Sequence, residues 1–288
     1  MGGRTATDLW YRFAAVCLVV ALAACAAPAK PLPPITGSGF EPLDIPLIEP
    51  GKPVASDSTV TGYLFRPAGS GPFPAVILIH GCNGLDWQLP NRPGWVLLRR
   101  YAQRYADRGY IALVLDSFGP RGVTNICGNP RAVSFGRRAW DVYSAARMLA
   151  ERPDVDRQRL VLQGDSHGGS TTLLAIENGR WHGRQHFAAA IAWYPGCFPL
   201  NGVTTPLLIL IGENDDWTPA DRCKAMVNGL PTTDRPEVTL RTYPGATHAY
   251  DFPLPTRTNS LGHHMAYDLE ATTDSWATID AFLARHVK

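Results

Sequence analysis

Leu160-Val161-Leu162-Gln163-Gly164-Asp165-Ser166-His167-Gly168-Gly169-Ser170-Thr171-Thr172-Leu173-Leu174 is the stretch whose reading decides the fold. The apolar triplet 160–162 reads as a strand buried on both faces, and the run 170–178 reads as a helix. Only a glycine-rich turn lies between them, so the chain must swing from strand to helix within a few residues. A Gly-x-Ser-x-Gly pattern, Gly164 to Gly168, fills that turn. Flanking glycines avoid clashes in so sharp a bend, and Ser166 at its apex is held in a strained conformation with its hydroxyl exposed. The helix N-terminus beneath it favours negative charge.

Outward from this unit the same alternation recurs. Residues 59–66 alternate weakly and read as an edge strand. Continuous apolar runs at 75–79, 111–115, 188–193 and 207–211, with 238–243, read as further strands. Helical patterns fall at 95–108 and 134–151, from about Pro219, and at 273–285. In the second of these, Ala139, Val142, Ala146 and Leu149 recur at spacings of three and four, and Pro153 stops the helix. Strand–helix alternation at this frequency predicts an α/β protein with a mostly parallel, doubly wound sheet flanked by helices. In such sheets, sites form beyond the carboxyl ends of the strands.

The 288 residues, 45% of them hydrophobic, suffice for one large domain with a substantial core, expected over residues 55–288. Twenty-eight aromatic residues exclude disorder for most of the length. No Gly-X-Y or solenoid period occurs. Twenty-seven basic and 25 acidic residues give a net charge of +2, which points to no nucleic-acid or polyanion partner.

A serine hydroxyl is a weak nucleophile and needs a base, which in turn needs an orienting carboxylate. With the serine on a strand–helix elbow, acid and then histidine are expected downstream at later strand ends. The run 207–211 leads into Gly212-Glu213-Asn214-Asp215-Asp216-Trp217-Thr218-Pro219, and the strand 238–243 into Pro244-Gly245-Ala246-Thr247-His248. His248 is therefore the expected base, whereas His263, His264 and His286 lie outside any strand-end turn. Asp215, three residues after Gly212, is preferred as the acid, with Asp216 and Glu213 as its neighbouring alternatives. Asp116 also ends a strand but precedes Ser166 and fails the order. Acyl transfer further requires N–H donors for an oxyanion. One is expected from the backbone of His167, and the other from the turn His80-Gly81-Cys82-Asn83-Gly84, where Cys82 is preferred over Asn83.

The first 24 residues read as a signal peptide. Arg4 and Arg12 precede an uncharged apolar run at 13–24, too short to span a bilayer but suited to a signal core. It ends Leu22-Ala23-Ala24-Cys25, which resembles a bacterial lipobox with Cys25 as the acylated residue; the alternative is an ordinary cleavable signal. Ala26 rather than Asp follows the cysteine, so the inner-membrane retention signal is absent. Prolines at 28, 31, 33 and 34 give residues 25–54 the character of an extended tether. The expected location is the periplasm, with membrane contact only through the lipidated N-terminus. After export, Cys82, Cys127, Cys197 and Cys223 remain, an even number suggesting two disulfides with three possible pairings. Cys197 follows the strand 188–193 and Cys223 lies in the helix after 207–211. Neighbouring parallel strands would bring them to one sheet edge, favouring Cys197–Cys223 and leaving Cys82–Cys127. The other two pairings stay open. No Cys-x-x-Cys or His-Glu-x-x-His pattern supports a zinc site.

Together, His80-Gly-Cys-Asn-Gly84, Asp116-Ser-Phe-Gly-Pro-Arg-Gly122, Gly164-Asp-Ser-His-Gly168, Gly212-Glu-Asn-Asp-Asp-Trp-Thr-Pro219 and Thr247-His-Ala-Tyr-Asp251 resemble the dienelactone hydrolase family of α/β-hydrolases over about residues 55–285. The resemblance implies a single α/β-hydrolase domain, a Ser166–Asp215–His248 triad, no cofactor and a small-molecule carboxylic ester or lactone as substrate. The enzyme that names the family uses cysteine as nucleophile, where Ser166 stands here. Arg121 has two open roles, structural or pocket-lining. The competing functions are a prolyl-oligopeptidase-like peptidase, disfavoured by the lack of a propeller-sized N-terminal domain, and a non-catalytic envelope protein on a hydrolase scaffold.

Overall fold

Eight strands form one sheet in the order β1-β2-β4-β3-β5-β6-β7-β8. They are β1 (Phe40–Pro46), β2 (Thr59–Phe65), β3 (Phe73–Ile79), β4 (Ile111–Asp116), β5 (Val155–Asp165), β6 (Ala189–Trp193), β7 (Leu207–Gly212) and β8 (Val238–Tyr243). The chain is known from a computed structural model, which describes residues 39–48, 58–85 and 93–288 except 182 and 234. Residues 1–38, which hold the expected signal segment and Cys25, lie outside the described residues. Among the described residues five α-helices accompany the sheet: α1 (Pro93–Ala106), α2 (Phe135–Ala150), α3 (His167–Ala175), α4 (Ala220–Gly229) and α5 (Leu269–His286). A two-stranded ribbon, β9 (Arg257–Thr258) with β10 (His264–Met265), stands apart from the sheet.

Strands β4 to β8 and β3 run parallel, while β1 and β2 join antiparallel at one edge. Every residue of β4, β6 and β7 is buried. Burial on both faces is why these runs are continuous rather than alternating. From β3 the chain crosses to β4 on one side, then returns across β3 to β5 on the other. With right-handed crossovers, that reversal puts α1 and α2 on opposite faces and opens a crevice beyond the carboxyl ends of β3 and β5. The crevice falls between Ile79-His80-Gly81 and Asp165-Ser166.

Several elements differ from the sequence-based expectation, each for a physical reason. Residues 59–66 are not the edge. Strand β1 pairs with β2 along its whole length, from Phe40 opposite Phe65 to Pro46 opposite Thr59. It lies within the stretch 25–54 read as tether, and its prolines hid it, although an edge strand tolerates them. Ile45 is fully buried, and the Phe40 ring packs edge-on against Tyr63 at 5.6 Å and Trp95 at 5.3 Å. Helix α3 begins three residues earlier than 170, directly after Ser166. Helix α5 begins at Leu269 because the Asp268 carboxylate caps it, accepting from the Ala271 N–H at 2.9 Å. Among the described residues, no helix is long and apolar enough to cross a membrane.

Candidate active site

Ser166 sits at the elbow between β5 and α3 with φ 52° and ψ −115°. A non-glycine residue there is strained by about 1–3 kcal/mol and must be held by its surroundings. Its N–H donates to the Trp193 carbonyl at 2.9 Å. The glycines allow the close approach: a Cβ on Gly164 would strike the Gly168 carbonyl, and one on Gly168 would strike the Ile79 carbonyl. Helix α3 starts at His167, so that residue's N–H is among the first-turn donors with no intrahelical partner.

His248 follows β8, and its Nε2 lies 3.0 Å from the Ser166 Oγ. Its Nδ1 lies 2.8 Å from Asp215 Oδ2, on the loop after β7. All three residues come from strand ends, in the chain order expected. Asp215 is fixed on its other side, where Oδ1 accepts from the N–H groups of Trp217 at 3.0 Å and Thr218 at 2.7 Å. With Nδ1–H donating to the carboxylate, Nε2 presents its lone pair to the serine hydroxyl. The His248 ring is flanked by Tyr194 at 4.8 Å and Trp217 at 4.9 Å between ring centroids. Adjacent Asp216 turns away. Its Oδ2 accepts from the His264 N–H at 3.0 Å, and its Oδ1 lies 3.3 Å from His263 Nδ1.

Ser166 and His248 open into a cavity of about 340 Å³. Its lining includes Gly81, Cys82 and Asn83 from the turn after β3, and Arg257, Leu261 and Met265 from the β9–β10 ribbon. Cys82 is bonded to Cys127, which also lines the cavity, and Cys197 is bonded to Cys223. Among the three possible connectivities the structure thus contains the one favoured by strand adjacency. Arg121 belongs to a different place. It forms a two-pronged pair with the buried Asp141 at 2.7 and 2.8 Å and also binds the Ser117 carbonyl.

Three residues at the site had no assigned role in the sequence reading. The Thr218 hydroxyl lies 2.8 Å from Asp215 Oδ2 and 3.0 Å from the Tyr194 carbonyl, and can give its one hydrogen to either. Its signal was the Asp-x-x-Thr spacing, a turn-capping pattern. Asp165 lines the cavity beside Ser166, and its Oδ1 has no hydrogen-bond partner among the described residues. Burial pushes its carboxyl up to about 7, against the pull of the Arg138 and His248 charges. Arg138, fully buried in α2, donates to the His80 carbonyl at 2.6 Å and to His167 Nδ1 at 2.8 Å. Position 138 precedes Val142 by four residues, a helical spacing that offers a signal for its burial on the inner face of α2.

The chain is similar to several known proteins. The family model described as the Dienelactone hydrolase family matches residues 60–287. A Yersinia pestis protein named "Putative carboxymethylenebutenolidase" is 22% identical over 248 residues, spanning 78% of this chain and 83% of its own. Among solved structures, a dienelactone hydrolase-like promiscuous phosphotriesterase from metagenomic libraries aligns with a TM-score of 0.62 at 19% identity, covering 86% of this chain and 99% of its own. Apo Thermogutta terrifontis esterase 2 aligns with a TM-score of 0.60 at 18% identity, covering 86% and 95%. The fold is the α/β-hydrolase fold, and the chain belongs to the dienelactone hydrolase family as a carboxylic-ester hydrolase.

Proposed function

We propose that this chain is an exported serine hydrolase that cleaves small carboxylic esters or lactones through an acyl-enzyme on Ser166. The observation that carries the reading is the continuous relay from Ser166 Oγ through His248 to Asp215, opening into a cavity beside the turn after β3. The Ser166 oxygen attacks the ester carbonyl carbon while its proton passes to His248 Nε2. Asp215 holds the Nδ1–H tautomer and stabilises the imidazolium. The carbonyl oxygen, now an oxyanion, accepts hydrogen bonds from the backbone N–H groups of Cys82 and His167. Collapse of the tetrahedral adduct breaks the bond to the alcohol oxygen, which takes the proton from His248. Water, deprotonated by the same Nε2, then hydrolyses the acyl-serine ester and releases the acid and free Ser166. In a lactone the freed alcohol stays tethered to the acyl group throughout, and the second step releases a single hydroxy acid.

The cavity is of a size that suits a small ligand. Two disulfides fit an oxidising compartment, in keeping with export by residues 1–24 and acylation at Cys25. The catalytic domain is then 55–288, extended at its N-terminal side by the strand β1. Labelling by a fluorophosphonate, followed by turnover of p-nitrophenyl esters of graded acyl length, tests the chemistry. No label and no ester turnover by folded protein would overturn it. Palmitate incorporation in a bacterial host, lost in Cys25→Ser, tests the anchor.

A further inference from the structure

We propose that Arg138 is a positioning residue for the oxyanion hole, clamping together the two backbone segments that carry its donors. The inference rests on the serine-hydrolase reading of Ser166.

One donor segment is the turn after β3, where His80 stands two residues before Cys82. The other is the first turn of α3, where His167 directly follows Ser166. Arg138 reaches both from α2. Its Nη2–H donates to the His80 carbonyl at 2.6 Å and its Nη1–H to the His167 ring at Nδ1, 2.8 Å away. His167 continues the chain of bonds, since its Nε2–H donates to the Pro130 carbonyl at 3.0 Å. That tautomer follows from the partners, because a guanidinium can only donate. The histidine is neutral at ordinary pH, burial and the Arg138 charge together pushing it down to about 3. One rigid planar group thus bridges the two segments from α2, beside the direct packing of Gly168 on the Ile79 carbonyl.

The energetics argue that this arginine does more than fill space. Arg138 is fully buried, and among the described residues it has no carboxylate within ion-pair distance. Asp141, Asp165 and Asp116 act on it only at longer range. Its Nε has no hydrogen-bond partner among the described residues, and its guanidinium faces the Phe118 ring at 4.9 Å. Desolvating a guanidinium is costly, and a well-packed apolar side chain of similar volume would ordinarily serve stability as well or better. What an apolar side chain could not do is bond a carbonyl on one donor segment and an imidazole on the other. Oxyanion donors act only when they are aimed at the position the oxygen reaches in the transition state. A displacement of one segment by about 1 Å is enough to cost on the order of 10²-fold in rate.

The test uses Arg138→Met, Arg138→Lys and His167→Leu in the full chain, with active sites counted by fluorophosphonate titration to its end point. Expected for Arg138→Met is a fall of about 10²-fold in kcat per titrated site on p-nitrophenyl acetate, with KM changed less than threefold. Affinity for a trifluoromethyl ketone, whose hemiketal oxygen occupies the oxyanion position, should fall in proportion. Arg138→Lys, which keeps the charge and one donor, should recover part of the loss. A purely structural role would lower the number of active sites and the Tm while leaving each titrated site at full rate. If Arg138→Met does not fold, His167→Leu severs the same clamp while keeping the His167 backbone donor, and should show the same kcat loss. Per-site kcat within threefold of the parent in the variants that fold would overturn the inference. Ser166→Ala separates the two claims: an active Ser166→Ala defeats the serine reading, whereas an inert Ser166→Ala beside fully active clamp variants defeats only this proposal.

Discussion

Asp215 and Asp216 are adjacent in the chain, yet their carboxylates belong to different structures. Asp215 is buried and takes the His248 Nδ1–H at 2.8 Å, together with two backbone N–H groups. Asp216, with a side chain 47% exposed, pins the β9–β10 ribbon through the His264 N–H and the His263 ring. His263 in turn stacks on Trp217, 4.7 Å between centroids, and Trp217 faces His248. One carboxylate therefore holds the His248 ring, and its neighbour fastens a wall of the cavity to the same loop.

Asp215→Asn is expected to lower kcat by about 10⁴-fold, because the amide can stabilise the wrong tautomer of His248. Asp216→Asn should cost far less on p-nitrophenyl acetate, since it touches no member of the relay. Parallel steady-state kinetics on the two variants decide the matter. A larger loss at Asp216 would reverse the assignment.

Ser166→Ala should abolish ester turnover and fluorophosphonate labelling with the fold intact. His248→Ala should be nearly as inactive, and the double variant no worse than either, because the two residues act as one unit. Circular dichroism alongside the kinetics separates lost chemistry from lost folding. Ser166→Ala that retained most of its activity would sink the mechanism.

The strand ends were readable in the sequence because each couples a buried apolar run to a polar residue in the turn just beyond it. Ser166, His248 and Asp215 all announced themselves that way. Strand β1 did not, since Pro42 and Pro46 obscure its alternation and its partner β2 lies beyond residues 49–57. The roles of Thr218 and Arg138 were equally hidden, for a different reason. Each depends on contacts across 24 to 58 residues of chain, from Thr218 to the Tyr194 carbonyl and from Arg138 to His80. Local pattern carries no information about such contacts. The ribbon 257–265 has two-residue strands, too short to leave a periodic signature.

Removing the two disulfides should have different consequences. Cys197→Ser/Cys223→Ser opens a link of sequence separation 26, and Cys82→Ser/Cys127→Ser one of 45. Chain entropy gives the two bonds about 3.5 and 4 kcal/mol of stabilisation, before any allowance for residual structure in the unfolded chain. Both variants should therefore melt at lower temperature. Only the second should also lower kcat at 25 °C, because Cys82 and Cys127 line the cavity and the Cys82 N–H is the proposed oxyanion donor. Equal kcat in both variants and the parent would remove any role of the Cys82–Cys127 bond in holding that turn.

Asp251 offers a test of the electrostatics away from the relay. It is buried, and among the described residues neither carboxylate oxygen has a hydrogen-bond partner. Burial pushes its carboxyl up to about 7, whereas in the unfolded chain an aspartate titrates near 3.9. Between those values the native state keeps a proton that the unfolded state has released. By linkage, its contribution to stability is greatest below about pH 4, falls as pH rises to about 7, and then levels off, a loss of a few kcal/mol. His80 and His167, whose protonation is suppressed by burial and by Arg138, give the opposite slope below the ordinary histidine range. The parent's melting curve mixes these trends, but the difference between Asp251→Asn and parent cancels the histidine contributions. Asparagine adds an unpartnered amide of its own, at a cost independent of pH. The difference in Tm, variant minus parent, should therefore climb from pH 4 to about pH 7 and then level off. A difference that stays flat across that range would mean that Asp251 is not held protonated by the fold.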